Sequence, residues 1–170
     1  MLRLCGWAAA GLVLAPRPAR AMARERSLAL YNVHTEEHLV VEYARRGRYQ
    51  PDALRAVNRL LRDHRSGDVY PIDPDLLDLL WELRTRMGSR LPFSVVSAYR
   101  SPQTNAAMRQ EGHRVAAHSF HMQGRAIDVF LPDRDLRLVH NAAAGLQWGG
   151  VGYYPHAGFV HVDTGPIRYW

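Results

Sequence analysis

The sequence predicts an α+β fold, a small antiparallel sheet with flanking helices. Helix-period and strand-period apolar patterns are segregated along the chain. Two pairs of neighbouring strand patterns are joined by short polar links of hairpin type. No repeat, low-complexity stretch or linker divides the chain, and 170 residues suffice for one domain with a core of its own.

Residues 28–33 and 38–43 read as strands, and the link His34-Thr35-Glu36-Glu37 suits a hairpin. Gly47 interrupts the pattern. Pro51 opens a helix with Leu54, Val57, Leu60 and Leu61 on one face, which Gly67 is expected to close. Asp73-Pro74 opens a second helix. It turns Leu76, Leu77, Leu79, Leu80, Trp81 and Leu83 inward and ends at Gly88. Both helices read as core scaffold. Residues 93–97 form a strand pattern that runs into the turn Ala98-Tyr99-Arg100-Ser101-Pro102, and a short helix follows over 102–110. Residues 111–120, with Gly112 and His118, read as a loop. Residues 125–131 form a strand, a helix runs from Asp133 to near Gly145, and residues 151–154 and 158–162 form a last strand pair across Tyr154-Pro155-His156-Ala157.

Residues 1–23 have the pattern of a secretory signal: Arg3, a short apolar run, Pro16 and Pro18, and small residues at Ala19-Arg20-Ala21 and Ala21-Met22-Ala23. The run is too short to span a bilayer comfortably. An exported, periplasmic domain over residues 24–170 with no stable membrane anchor is expected. The net charge is +6, and all 22 basic residues are Arg; without residues 1–23 the balance is 19 basic against 16 acidic residues, or +3. So mild an excess argues against nucleic acid as a partner and suits an anionic polymer such as a cell wall. The only cysteine, Cys5, lies in the signal pattern, so residues 24–170 have no disulfide and no thiolate ligand.

The chemistry concentrates in Ser119-Phe120-His121-Met122-Gln123-Gly124-Arg125-Ala126-Ile127-Asp128, which places an imidazole just before a strand and a carboxylate within it. A further imidazole follows in Phe159-Val160-His161-Val162-Asp163. If the two strands are neighbours, His121, Asp128 and His161 converge. Two His and one Asp suit an open zinc site in which water takes the fourth position, and such a water has a pKa near 7. Other divalent ions accept the same set.

Ser119–Asp128 resembles the S-x-H-x-x-G-x-A-x-D motif of zinc peptidases of the D-alanyl-D-alanine carboxypeptidase and murein endopeptidase group. His161-Val162-Asp163 is similar to that group's closing H-x-[HD] element, and Ser97-Ala98-Tyr99-Arg100-Ser101 to its S-x-Y-R-[ST] turn. The stretch from Gly149 to Pro155 and the ending from Phe159 to Trp170 resemble the MepK-like branch. The resemblance spans about residues 28–170. It implies a hedgehog/D,D-peptidase-like fold, zinc held by His121, Asp128 and His161, and peptidoglycan peptide cross-links as substrate. It also implies that Arg100 contacts the substrate carbonyl or the oxyanion.

One departure concerns the proton. Where several relatives carry an assisting Glu, Asp or His, this chain has Gly158 and Phe159. Asp163 is the first candidate acid/base, being on the same strand face as His161, with orientation of that ligand as its other role. His156 and His118 are weaker candidates. Ser119 is expected to bond the loop that carries His121. The reading is a zinc-dependent murein endopeptidase. A D-alanyl-D-alanine carboxypeptidase and a non-catalytic zinc-stabilised peptidoglycan-binding domain stay open beside it. His34, His38, His64, His113 and His140 read as surface or helix-face residues, and Tyr153, Tyr154, Tyr169 and Trp170 as core or edge aromatics.

Overall fold

The computed structural model describes residues 25–113 and 115–170; the expected signal lies outside them. Strands β1 (Arg26–Asn32) and β2 (His38–Arg45) form the anticipated hairpin, closed by the pair Tyr31 and His38. A two-residue strand β3 (Arg48–Tyr49) pairs with the far side of β2. Helix α1 (Pro51–Leu60) begins with proline, whose fixed φ suits a first turn and whose missing N–H would have had no partner there. It stops well before Gly67, because the buried Asp63 draws the chain away. Its carboxylate accepts the backbone N–H of Arg65 and of Ser101, each at 2.9 Å. Helix α2 (Pro74–Met87) is capped by Asp73, which accepts the Asp75 N–H at 3.0 Å, and ends on Gly88 with φ of 59°.

Strand β4 (Phe93–Ser97) lies beside β1 and runs parallel to it, since the connection passes through two helices. The sheet is therefore mixed and not purely antiparallel, and with eight strands it is larger than expected. The order is β3-β2-β1-β4-β5-β7-β6-β8, and β8 (Arg168–Tyr169) also runs parallel to its neighbour β6. Helix α3 (Pro102–Gln110) follows the Arg100 turn. Strand β5 (Ala126–Phe130) then pairs antiparallel with β4 and with β7 (Phe159–Asp163), and β6 (Gly150–Tyr154) completes the last hairpin. Helix α4 (Leu136–Ala144) is capped by Asp135 rather than Asp133. Asp135 accepts the N–H of Arg137 and of Leu138, while Asp133 accepts the Ser89 hydroxyl.

Successive side chains of a strand point to opposite faces. On one face Leu28, Leu30, Phe93, Val95, Ile127, Val129, Val160 and Val162 pack under Val57, Leu76, Leu80, Leu83 and Val139 from α1, α2 and α4. The alternate residues of the two central strands, Asp128, His161 and Asp163, therefore point to the other face. All three are buried there. Helices α1, α2 and α4 cover one side of the sheet and leave the other to polar chemistry. Among the described residues no helix is long and apolar enough to cross a membrane.

Candidate active site

Asp128 and His161 are cross-strand partners in the β5–β7 ladder, which sets their side chains next to each other. His161 Nδ1 lies 2.8 Å from Asp128 Oδ1. His121 comes from outside the ladder, on a 3₁₀ turn (Phe120–Gln123) between the loop expected over 111–120 and β5. Ser119 caps this turn by accepting the His121 backbone N–H at 3.3 Å. Gly124 closes it with φ of 65°, and a Cβ there would also run into the Pro71 carbonyl, so the position is restricted twice over. The turn delivers His121 Nε2 to 3.4 Å from Asp128 Oδ1 and 3.2 Å from His161 Nδ1. One ligand atom from each of the three residues lies within 4.8 Å of the others, and all three residues are buried.

Each imidazole is held by its second nitrogen. His121 Nδ1 donates to the Ala98 carbonyl at 2.6 Å, which turns Nε2 toward Asp128. His161 Nε2 donates to Asp163 Oδ2 at 2.9 Å and directs Nδ1 inward. Burial alone would push the Asp128 carboxyl up, but the charge and hydrogen bonds of His121 and His161 hold it well below the usual carboxylate range. Burial pulls His161 down, and its bonds to Asp128 and Asp163 outweigh that and raise it.

Asp163 shares the strand face of His161, as expected, and bonds to it. It is fully buried behind His161. Oδ1 accepts the N–H of Gly150 at 3.1 Å, the N–H of Gly165 at 2.8 Å and Arg168 Nη1 at 3.1 Å, and Oδ2 accepts Arg168 Nη2 at 2.7 Å as well as His161. With both oxygens so engaged, Asp163 is placed for the other of its two expected roles, orienting His161. A Cβ at residue 150 would stand 2.5 Å from Asp163 Oδ2, so glycine is what admits the carboxylate there.

Arg100 reaches the site from the turn after β4. It is buried, and among the described residues its Nη atoms make only long bonds, to Asn105 at 3.5 Å and Ser97 at 3.4 Å, and its Nε has no partner. The three convergent residues and Arg100 form part of the wall of a cavity of about 860 Å³. His118 lines this cavity. His156 lies exposed on the β6–β7 turn outside the lining.

Several lining residues carried no functional signal in the sequence. Tyr154 and Trp170 stand half exposed at one flank, joined by a bond of 2.6 Å from the indole Nε1 to the phenol oxygen. The indole lies 5.3 Å from the His161 ring. It rests over Gly152, the β6 partner of His161, where a Cβ would meet it at 2.7 Å. At the other flank the rings of His34 and His64 stack with centroids 3.9 Å apart. A glycine opposite a histidine in neighbouring strands, together with a late tryptophan, was the only sequence signal available. For the His34–His64 pair there was none.

The fold and the buried His-Asp-His group define the class: a hydrolase-type site that could hold one metal ion, at the floor of a cleft on the open face of a mixed sheet. Residues 20–170 match the family described as peptidoglycan L,D-endopeptidase MepK, and the chain belongs to that family. The peptidoglycan L,D-endopeptidase MepK of Escherichia coli (strain K12) is 39% identical over 168 residues, covering 97% of this chain and 92% of that one. The probable peptidoglycan L,D-endopeptidase MepK of Haemophilus influenzae is 37% identical over 169 residues, covering 97% of this chain and 91% of that one.

Proposed function

We propose that this protein is a metal-dependent peptidoglycan endopeptidase that hydrolyses L,D peptide cross-links, with zinc as the metal. The observation that carries the reading is the convergence of His121 Nε2, Asp128 Oδ1 and His161 Nδ1 at the floor of the cleft. The donor set suits zinc: two imidazole nitrogens and one carboxylate, each imidazole fixed from behind by an oxygen acceptor. Zinc bound there would supply Lewis acidity and a water acidic enough to ionise near neutral pH.

The chain's own residues do the rest. His121, Asp128 and His161 form a buried nest of ligands. Asp163 acts as a positioning residue, fixing the tautomer and angle of His161, and Arg168 neutralises it from the far side. Arg100, with its Nε unpartnered and its Nη bonds long, is the group to stabilise negative charge developing on the scissile carbonyl oxygen. The substrate lies outside the cytoplasm, which accords with the signal pattern in residues 1–23 and a mature domain from residue 24.

The test is digestion of cross-linked muropeptide dimers by purified protein, with and without chelator. Dimers converted to monomers only when metal is present support the reading. Intact dimers at full metal occupancy would leave a peptidoglycan-binding domain. Release of terminal D-alanine alone would leave a carboxypeptidase.

A further inference from the structure

The cleft is strongly asymmetric in charge. Among its described lining residues Asp128 alone carries a side-chain carboxylate, and it faces the two imidazoles of the buried group. Against it the lining places the guanidiniums of Arg65, Arg100 and Arg168. Arg168 is paired with Asp163, and Arg100 sits deep beside Asp128. Arg65 is different. It is exposed at the flank away from Trp170, and among the described residues it has no acidic partner within ion-pair reach. A cation left unpaired in a cleft that is otherwise poor in acids favours an anionic ligand group there.

This flank is built and not merely surface. The buried Asp63 accepts the backbone N–H of Arg65 through one oxygen and that of Ser101 through the other, both at 2.9 Å. The segments carrying Arg65 and Arg100 are thereby tied to one carboxylate. Asn32 does the same for the neighbouring turn: its side chain donates to the Leu60 carbonyl at 3.0 Å and accepts the N–H of His34 at 3.0 Å and of Thr35 at 3.3 Å. His34 Nε2 donates to the Val96 carbonyl at 3.0 Å, and its ring stacks on His64 with an interplanar angle of 11°. Burial, then His34, then Arg65 push the His64 imidazole down to about 4, so the stacked ring is a neutral wall beside the guanidinium. Two turns and the end of α1 thus fix the backbone that carries Arg65 beside the stacked His34 and His64 rings.

We propose that the flank formed by His34, His64 and Arg65 is a subsite for a free carboxylate of the peptide substrate, with the Arg65 guanidinium as its ion-pair partner. The proposal rests on the peptidase reading above and extends it. The enzyme selects cross-links that carry a free carboxylate within a residue or two of the scissile bond. Arg65 is a specificity-determining residue that stands apart from the metal ligands.

The experiment compares cross-linked muropeptide dimers with free carboxylates and the same dimers after carbodiimide amidation, using wild type, Arg65→Gln and Arg65→Lys. Wild type is expected to show a KM about tenfold lower on the free dimers, the scale of one charge-assisted bond. Arg65→Gln raises KM on the free dimers by that factor and leaves kcat and the amidated dimers unchanged, and Arg65→Lys restores part of the preference. An Arg65→Gln enzyme that still discriminates as wild type does would overturn the subsite while leaving the peptidase intact. If wild type cleaves neither set, the peptidase reading fails by itself, and equilibrium binding of the same two dimers decides the subsite. Tighter binding of the free dimers by wild type but not by Arg65→Gln supports it, and equal binding of both dimers by wild type overturns it.

Discussion

Two buried carboxylates in this molecule meet opposite fates. Asp78, on α2, accepts the hydroxyls of Tyr43 at 2.9 Å and Tyr49 at 3.0 Å and pairs with Arg26. Asp128, on β5, faces His121 and His161. Phenols and guanidinium can only donate to a carboxylate, so the first cluster is closed and lines no part of the cleft. Imidazole nitrogens also carry lone pairs, so the second cluster can trade its protons for a metal ion. The same burial makes one cluster a brace for the β1–β2 hairpin and the other a candidate reaction centre. The difference lies in the partners and in access to the cleft.

The largest expected effect breaks the second cluster. His121→Ala should remove metal binding and lower hydrolysis by more than about 10³-fold, beyond the loss of a single oxyanion donor, while circular dichroism and melting stay near wild type. Breaking the first cluster should do the reverse. Asp78→Ala strands the Arg26 charge and should cost about 3–5 kcal/mol of stability in denaturant titration, as expected when one partner of a buried pair is removed. The surviving folded fraction should keep its metal affinity. Asp163→Asn tests the layer behind the ligands. It should weaken metal binding by about 10- to 100-fold, the range for groups that orient a ligand, as measured by competition with a chelating dye.

Acid sharpens the contrast further. The metal-free His161 has its pKa raised by Asp128 and Asp163. Protons therefore compete with metal from a higher pH than an ordinary imidazole would allow. As pH falls through that raised value, metal affinity should drop about tenfold per unit, one proton being displaced from His161 for each ion bound. Asp163→Asn should move the onset to lower pH, because it removes one cause of the raised value. Tyr49→Phe is the mildest change. It deletes one of the donors to Asp78 and should cost about 1 kcal/mol with no effect on metal.

Much of the arrangement was legible in the chain, for reasons that differ by element. Pro51, Asp73-Pro74 and Pro102 marked helix starts, because capping and proline chemistry is local. Strand β4 was readable to the residue from its apolar run. Alternation in β5 and β7 put Asp128, His161 and Asp163 on one face, and their spacing within motifs made the convergence foreseeable. The parallel pairing of β1 with β4 was not readable, since it depends on where two helices set the chain down. Strands β3 and β8, two residues each, fall below any periodic signal. Between the two roles open to Asp163, acid/base or orientation of His161, the chain alone offered no choice. Sharing a strand face with His161 did not reveal that Gly150, Gly165 and Arg168 would surround it from behind. The Arg65 flank depends on Asp63 and Asn32 joining turns far apart in sequence, and no local pattern encodes that.

The central claim is that His121, Asp128 and His161 hold one catalytic metal ion. The most direct measurement is metal content by plasma mass spectrometry on the same purified sample used for muropeptide digestion, before chelation, after chelation and after zinc is restored. One zinc per chain is expected, with metal and cross-link cleavage lost together on chelation and both recovered in proportion to the zinc added. Undiminished cleavage by protein shown to contain no metal would contradict it.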